Sequence, residues 1–297
     1  MATTVTSPRI EIKDVLFLTD FSDIANSALP FAKGIAKRYG ATIHALNILI
    51  PQNYTYATPE LGTLALEGQE QAATEEMKRV ESRISDVPHD VRVVCASSIW
   101  PVVEESVNMS SIDLIVLATQ GRSGVARLLM GSSAEEILRR SPVPVITVGP
   151  LVPKGKAEQP LGSVLFATDF STQSNAAVPW AISLANESRV PLVLLHVIAK
   201  RASEPAASSQ LSVAEALHNL HELVPQETQL LSRPEAIVRY GEPATAILTA
   251  AEEKGSGLIV LGVRGAEGVP GAAVHLESPV THRVVAQARC PVLTVRS

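Results

Sequence analysis

The apolar residues of this chain fall into short unbroken runs separated by longer stretches of helical periodicity. In the first half, residues 15–18, 41–49, 91–95, 114–117 and 143–148 read as strands. The runs at 15–18 and 114–117 have no polar alternation, the pattern of strands buried on both faces. Between them, Ser22 or Asp23 caps a helix that runs to Tyr39 and ends at Gly40. Residues 51–64 read as a loop, 69–84 as a helix with a charged face, and 102–109 as a short helix. A further helix carries Ala134, Ile137 and Leu138 on its apolar side. The order β-α-β-α-β-α-β-α-β predicts an α/β fold, a parallel sheet covered by helices on both faces.

The pattern then repeats. VLFLTDFS from Val15 and VLFATDFS from Val164 agree at seven of eight positions, offset by 149. Asn26 and Pro30 match Asn175 and Pro179, and PVITV ending at Val148 matches PVLTV ending at Val295. The chain is therefore two copies of a unit of roughly 145 residues, each of ordinary domain size. Residues 1–150 form the first and 161–297 the second, joined by the linker 151–160 (LVPKGKAEQP). Strands of the second copy are expected at 164–167, 192–198, 236–240, 258–261 and 292–295. The predicted architecture is thus two tandem doubly wound five-stranded parallel-sheet domains of Rossmann-like type.

Composition narrows the class. Apolar residues at 46% and charged ones at 19% suit a compact globule, and only 4% aromatics leave the cores to Val, Leu, Ile and Ala. A net charge of -5 argues against a nucleic-acid partner, which calls for a basic face. Cys95 and Cys290 sit in or beside apolar strands and are expected to be buried free thiols. The first residues lack a basic-then-apolar leader, and no apolar run approaches the ~18 residues of a membrane span. A cytoplasmic protein with no membrane partner is the expectation, and the sequons at Asn53 and Asn108 carry no weight in that setting.

The chemistry concentrates between residues 113 and 148. Gly121, Gly124 and Gly131 allow the backbone to bend and to approach a ligand closely. Gly131-Ser132-Ser133 opens a helix, where unpaired N–H groups and the helix dipole favour an anion such as phosphate. Ligands of such sheets bind beyond the carboxyl ends of the strands, and Asp20 and the loop 121–132 both fall there. Each residue also has a plain structural reading. Asp20 suits the cap of the following helix, Ser133 a helix N-cap, Gly124 a turn, and Arg122 and Arg127 solvated loop positions. His218 and His221 fall three apart in a predicted helix without a carboxylate or thiol cluster around them, so no metal site is expected. Trp100 and Trp180 suit core or interface positions.

TDFS after strand one, the glycine loop after strand four and PV-x-T-V at strand five resemble the universal stress protein family over nearly the whole chain. Its ATP-binding members share Gly-x2-Gly-x9-Gly-Ser/Thr; here Ala118-Thr-Gln-Gly121 is followed by nine residues and Gly131-Ser132, with alanine for the first glycine. The resemblance implies Asp20 and Ile48 at the adenine, Ala118 and Gly121 near the ribose, Arg122 within reach of phosphate, and Gly131, Ser132 and Ser133 holding the phosphates. It implies ATP, with Mg2+, as cofactor. In the second copy Asp169, Val197, Gly262 and Gly265 are the counterparts. No Gly-Ser pair follows them, since the positions hold His275-Leu276 or, counted back from Pro291, Ser278-Pro279, so this copy is expected to be degenerate for ATP.

Catalytic motifs are missing: no GxxxxGK[ST], GxGxxG after a strand, GxSxG or HExxH, and no evident general base in the loop, so no catalytic residue is assigned. The expected function is that of an ATP-binding stress-response regulator read by a protein partner the sequence does not name. A slow ATPase or phosphotransferase and a nucleotide-free interaction scaffold are the alternatives. Family members commonly pair through strand five, which implies an internal pseudo-dimer through an antiparallel contact of 143–148 with 292–295, and leaves a homodimer open.

Overall fold

A computed structural model describes residues 10–51, 59–119, 130–156, 161–198, 206–226, 228–263 and 279–296. It divides into two units, one spanning Glu11–Val148 and the other taking in Gly149–Ser297.

In the first unit β1 (Asp14–Leu18), β2 (Thr42–Leu49), β3 (His89–Cys95), β4 (Leu114–Ala118) and β5 (Val145–Val148) alternate with helices. These are α1 (Asp23–Tyr39), α2 (Pro59–Ile84), α3 (Ile99–Met109) and α4 (Ser132–Arg140). The strands pair in parallel in the order β3-β2-β1-β4-β5. This is the doubly wound arrangement read from the sequence, and it sets β1 and β4 side by side, with Val15 opposite Leu114. Both strands are apolar because helices cover both faces: Val15, Phe17, Ile115 and Val116 are fully buried.

Local chemistry fixes the ends of α1. The Ser22 hydroxyl accepts the amide of Ala25 at 3.1 Å, and Gly40 closes the helix in the left-handed conformation (φ 69°), its N–H bonded to the Ala36 carbonyl. Pro30 lies inside α1 and withholds the N–H that the Asn26 carbonyl would accept. Arg83 of α2 fills that role, its guanidinium donating to the Asn26 carbonyl at 3.3 Å and to the Asn26 side-chain oxygen at 2.9 Å.

In the second unit the strands β6 (Val164–Thr168), β7 (Leu192–Ile198), β8 (Glu235–Tyr240), β9 (Leu258–Val263) and β10 (Val292–Arg296) take the equivalent order β8-β7-β6-β9-β10, all parallel. Its helices are α5 (Thr172–Asn175), α6 (Val178–Ser188), α7 (Ala206–Glu222), α8 (Pro243–Glu253) and α9 (Pro279–Gln287). The counterpart of α1 is split into α5 and α6. Pro179, equivalent to Pro30, occupies the first turn of a new helix, where its missing N–H costs nothing.

Two sequence expectations are corrected. The stretch 51–64 is not all loop: α2 begins at Pro59, proline being suited to a first helical position. Cys95 is exposed and only Cys290 is buried, because Cys95 ends β3, which pairs with β2 alone. No described helix is long and apolar enough to cross a membrane.

Candidate functional site

At the carboxyl end of β1 the chain turns through Thr19-Asp20-Phe21-Ser22, and several polar groups hold the turn. Phe21 takes a left-handed backbone conformation (φ 63°), unusual for an aromatic residue. The Thr19 hydroxyl accepts the Phe21 amide at 3.0 Å, and one Asp20 oxygen accepts the Ser22 amide at 3.0 Å. The Asn26 side chain donates to the Phe21 carbonyl at 3.2 Å. Ser22 is the helix cap, so Asp20 lies two residues before the capping position, on the rim of the space beyond the strands.

That space is a cavity of about 520 Å³ within the first unit. Asp20 from the β1–α1 turn, Ile48 from β2, Ala118 from β4, and Gly131, Ser132 and Ser133 at the start of α4 all line it. Residues dispersed over more than a hundred positions thus meet around one volume. Leu18, Leu46, Ile50, Ile99, Leu117 and Ile137 supply apolar wall. The combination of apolar walls and a few convergent polar groups is that of a small-molecule site. Gly121 and Arg122, together with Gly124 and Arg127, lie outside the described residues.

Gly131 is the N-cap of α4 (φ -65°, ψ 146°) and offers no side chain to the helix's free N–H groups. Among the described residues, a Cβ at this position would touch the Thr119 carbonyl oxygen alone, at an ordinary 3.5 Å, so their packing does not demand glycine here. Helix α4 is held to α3 by Arg140, whose guanidinium lies 5.1 Å from the centre of the buried Trp100 ring.

Sequence reasoning missed several wall residues. Ile50 and Ile99 lie in stretches with little periodic signal. Thr119, only 1% exposed and lining the cavity, has a hydroxyl with no hydrogen-bond partner among the described residues. A hydroxyl without a partner is a property of three-dimensional surroundings, so no sequence signal marks it.

The second unit keeps the turn and changes its surroundings. Phe170 repeats the left-handed conformation (φ 64°), Thr168 accepts its amide, and Asp169 accepts the Ser171 amide at 3.0 Å and the Ser171 hydroxyl at 2.6 Å. Val197 stands on β7 as Ile48 stands on β2. Its neighbour His196 stacks on Phe170 with ring centroids 4.4 Å apart and bonds the Thr168 carbonyl at 2.9 Å. Gly262 is explained by packing: a Cβ there would fall on the backbone of Gln173 and Ser174, 2.6 Å from the Ser174 carbonyl oxygen. Its glycine serves the close approach of α5, which Ala118 in the first unit does not meet. Helix α9 starts at Pro279 where α4 starts at Ser132, so one amide donor is lost. Gly265 lies outside the described residues. His218 and His221 are both exposed on α7, and no group of three or more metal-ligand side chains occurs among the described residues.

Comparison with known proteins adds the family. The chain matches the model of the universal stress protein family twice, over residues 11–149 and 161–296. It is 26% identical over 299 residues to a universal stress protein of Mycolicibacterium smegmatis, covering 95% of this chain and 96% of that one. The universal stress protein YxiE of Bacillus subtilis is 32% identical over 149 residues, 45% of this chain and 97% of its own. A universal stress protein structure from Archaeoglobus fulgidus superimposes with a TM-score of 0.66 at 22% identity, over 97% of this chain and 99% of that one, a likeness of fold. With both repeats matched and both sheets wound in the same order, the chain belongs to the universal stress protein family.

Proposed function

We propose that the first repeat binds an adenine nucleotide, ATP with its Mg2+, and that the second repeat does not hold a triphosphate. The reading rests on one observation above all. Asp20, Ile48, Ala118, Gly131, Ser132 and Ser133, chosen on sequence grounds, line a single cavity of about 520 Å³. In this reading the base lies against Ile48 and the apolar wall within reach of Asp20, and the phosphates meet the amides and hydroxyls at the start of α4. The helix N-terminus favours negative charge there, and glycine at 131 leaves the approach open. The bound triphosphate supplies the ligands for the metal ion.

The described part of the site offers binding groups: backbone N–H, serine hydroxyls and one carboxylate whose Oδ1 accepts the Ser22 amide. Hydrolysis calls for a positioned water and stabilised charge in the transition state, which these groups do not by themselves provide. The protein is accordingly read as a nucleotide-gated regulator, ATP favouring one state that a partner recognises.

The test is titration of the purified protein with ATP, wild type beside Gly131→Arg. About one ATP per chain, lost in the variant, is the expected result. Absence of binding at millimolar ATP overturns the reading in favour of an interaction scaffold, and magnesium-dependent turnover well above background makes the protein an enzyme.

A further inference from the structure

Thr119 lines the cavity, and its buried hydroxyl has no partner among the described residues. The residue is fixed by its backbone: its amide donates to the Val148 carbonyl at 3.1 Å, and its carbonyl accepts the Gly131 amide at 2.8 Å. Its side chain is nonetheless buried with Oγ1 unpartnered, which is costly for a hydroxyl, since desolvation is not offset by any bond. Valine has nearly the same shape and carries no such penalty.

The second repeat holds that valine. Ala118 pairs with Val148 across β4 and β5, and Gly262 pairs with Val295 across β9 and β10, so Val263 is the counterpart of Thr119. The hydroxyl is present in the repeat whose helix opens with Gly131-Ser132-Ser133, and absent in the repeat whose helix opens with Pro279. An unsatisfied group placed beside the α4 N-terminus, and replaced by a methyl where the matching N-terminus has lost an amide donor, points to a bond made outside the protein.

We propose that Thr119 is a ligand-binding residue of the first repeat, its hydroxyl donating to the phosphate end of the nucleotide beside Gly131. The proposal rests on the nucleotide reading of the same cavity and adds a specificity-determining residue to it. Thr119 fills its unmet hydrogen bond only when an anionic ligand is present, and so helps separate a phosphorylated nucleoside from a bare one.

The experiment is calorimetric titration of wild type, Thr119→Val and Thr119→Ser with ATP and with adenosine, alongside melting curves without ligand. Thr119→Val is expected to bind ATP about tenfold more weakly, with adenosine affinity unchanged. Thr119→Ser, which keeps the hydroxyl, should stay within about twofold of wild type. Without ligand, Thr119→Val should melt at or above the wild-type temperature, because an unpartnered hydroxyl has been removed. A lower melting temperature shows that the hydroxyl has a partner inside the protein and overturns the proposal. Wild-type ATP affinity in Thr119→Val overturns it too, as does a parallel loss of adenosine. If wild type itself binds no ATP, the nucleotide reading falls and this inference with it.

Discussion

The Gly131 amide donates to the Thr119 carbonyl oxygen at 2.8 Å, tying the N-cap of α4 to the residue that follows β4. The bond uses only backbone atoms, so it survives any side chain at 131. Since a Cβ there meets nothing closer than 3.5 Å among the described residues, Gly131→Ala should have a stability within about 0.5 kcal/mol of wild type, as surface changes without new contacts do. Gly131→Arg should fold equally well by circular dichroism yet lose ATP in titration. A Gly131→Arg protein that melts far below wild type would make its loss of binding uninformative, and Gly131→Ala then carries the comparison.

Gly262 behaves oppositely. Its missing Cβ is the space that α5 occupies, so Gly262→Ala should destabilise by about 1–3 kcal/mol through overpacking, read as a lowered denaturant midpoint. Ala118→Gly, the reciprocal change in the first repeat, removes one methyl group at the end of β4 and should cost about 1 kcal/mol or less. Equal effects at the two sites would contradict the steric account.

The two thiols should separate cleanly in a reagent titration. Burial pushes the Cys290 thiol up to about 12, leaving almost no thiolate at neutral pH. Cys95 is exposed at the end of β3. The folded protein should therefore react fast with one equivalent of a thiol reagent per chain, a phase that Cys95→Ser removes. The second equivalent should appear only in denaturant.

Glu242 caps α8 and joins it to α9. Its carboxylate accepts the Thr245 hydroxyl at 2.6 Å and the amides of Thr245 and Ala244, and it pairs with Arg283 at 2.8 Å. Chiefly the Thr245 hydroxyl and amide hold its pKa below the ordinary glutamate value. A depressed folded value means stability that is present above the unfolded pKa and lost as pH falls through the folded one. Glu242→Gln should thus lower the melting temperature by a few degrees at pH 7, with the gap closing as pH drops below ~4. A gap that is constant down to pH 3 would show that the charge is not what the cap uses.

How far the sequence carried depended on whether the cause was local. Ser22 and Gly40 were legible because a cap is decided within a few residues, and the strand pattern was legible because double burial leaves no alternation. Pro59 was misread because proline and glycine suggest a loop until the first-turn position of the proline is known. Cys95 was misread because an apolar strand does not announce that it has one neighbour. The site divided the same way. Asp20 and Gly131 stood in recognisable motifs and Ile48 followed from the family resemblance, whereas Ile99 and Thr119 matter only through what the fold brings near them, and Gly262 looked like a ligand glycine until α5 was found against it.

The placement of β1 in the middle of its sheet has a consequence for how the chain is made. β1 leaves the ribosome before the other strands of its unit, yet its second neighbour, β4, is synthesised only after β2, α2, β3 and α3. Until then one edge of a strand that is apolar from Val15 to Leu18 stays open, and its pairing with Leu114 must wait for the longest sequence separation of any strand pair in the unit. The second repeat meets the same delay between Val164 and Leu258. Each half therefore passes through a nascent state with an unpaired, sticky edge, the kind of species that chaperones shield, and folding of each half is completed late and nearly all at once.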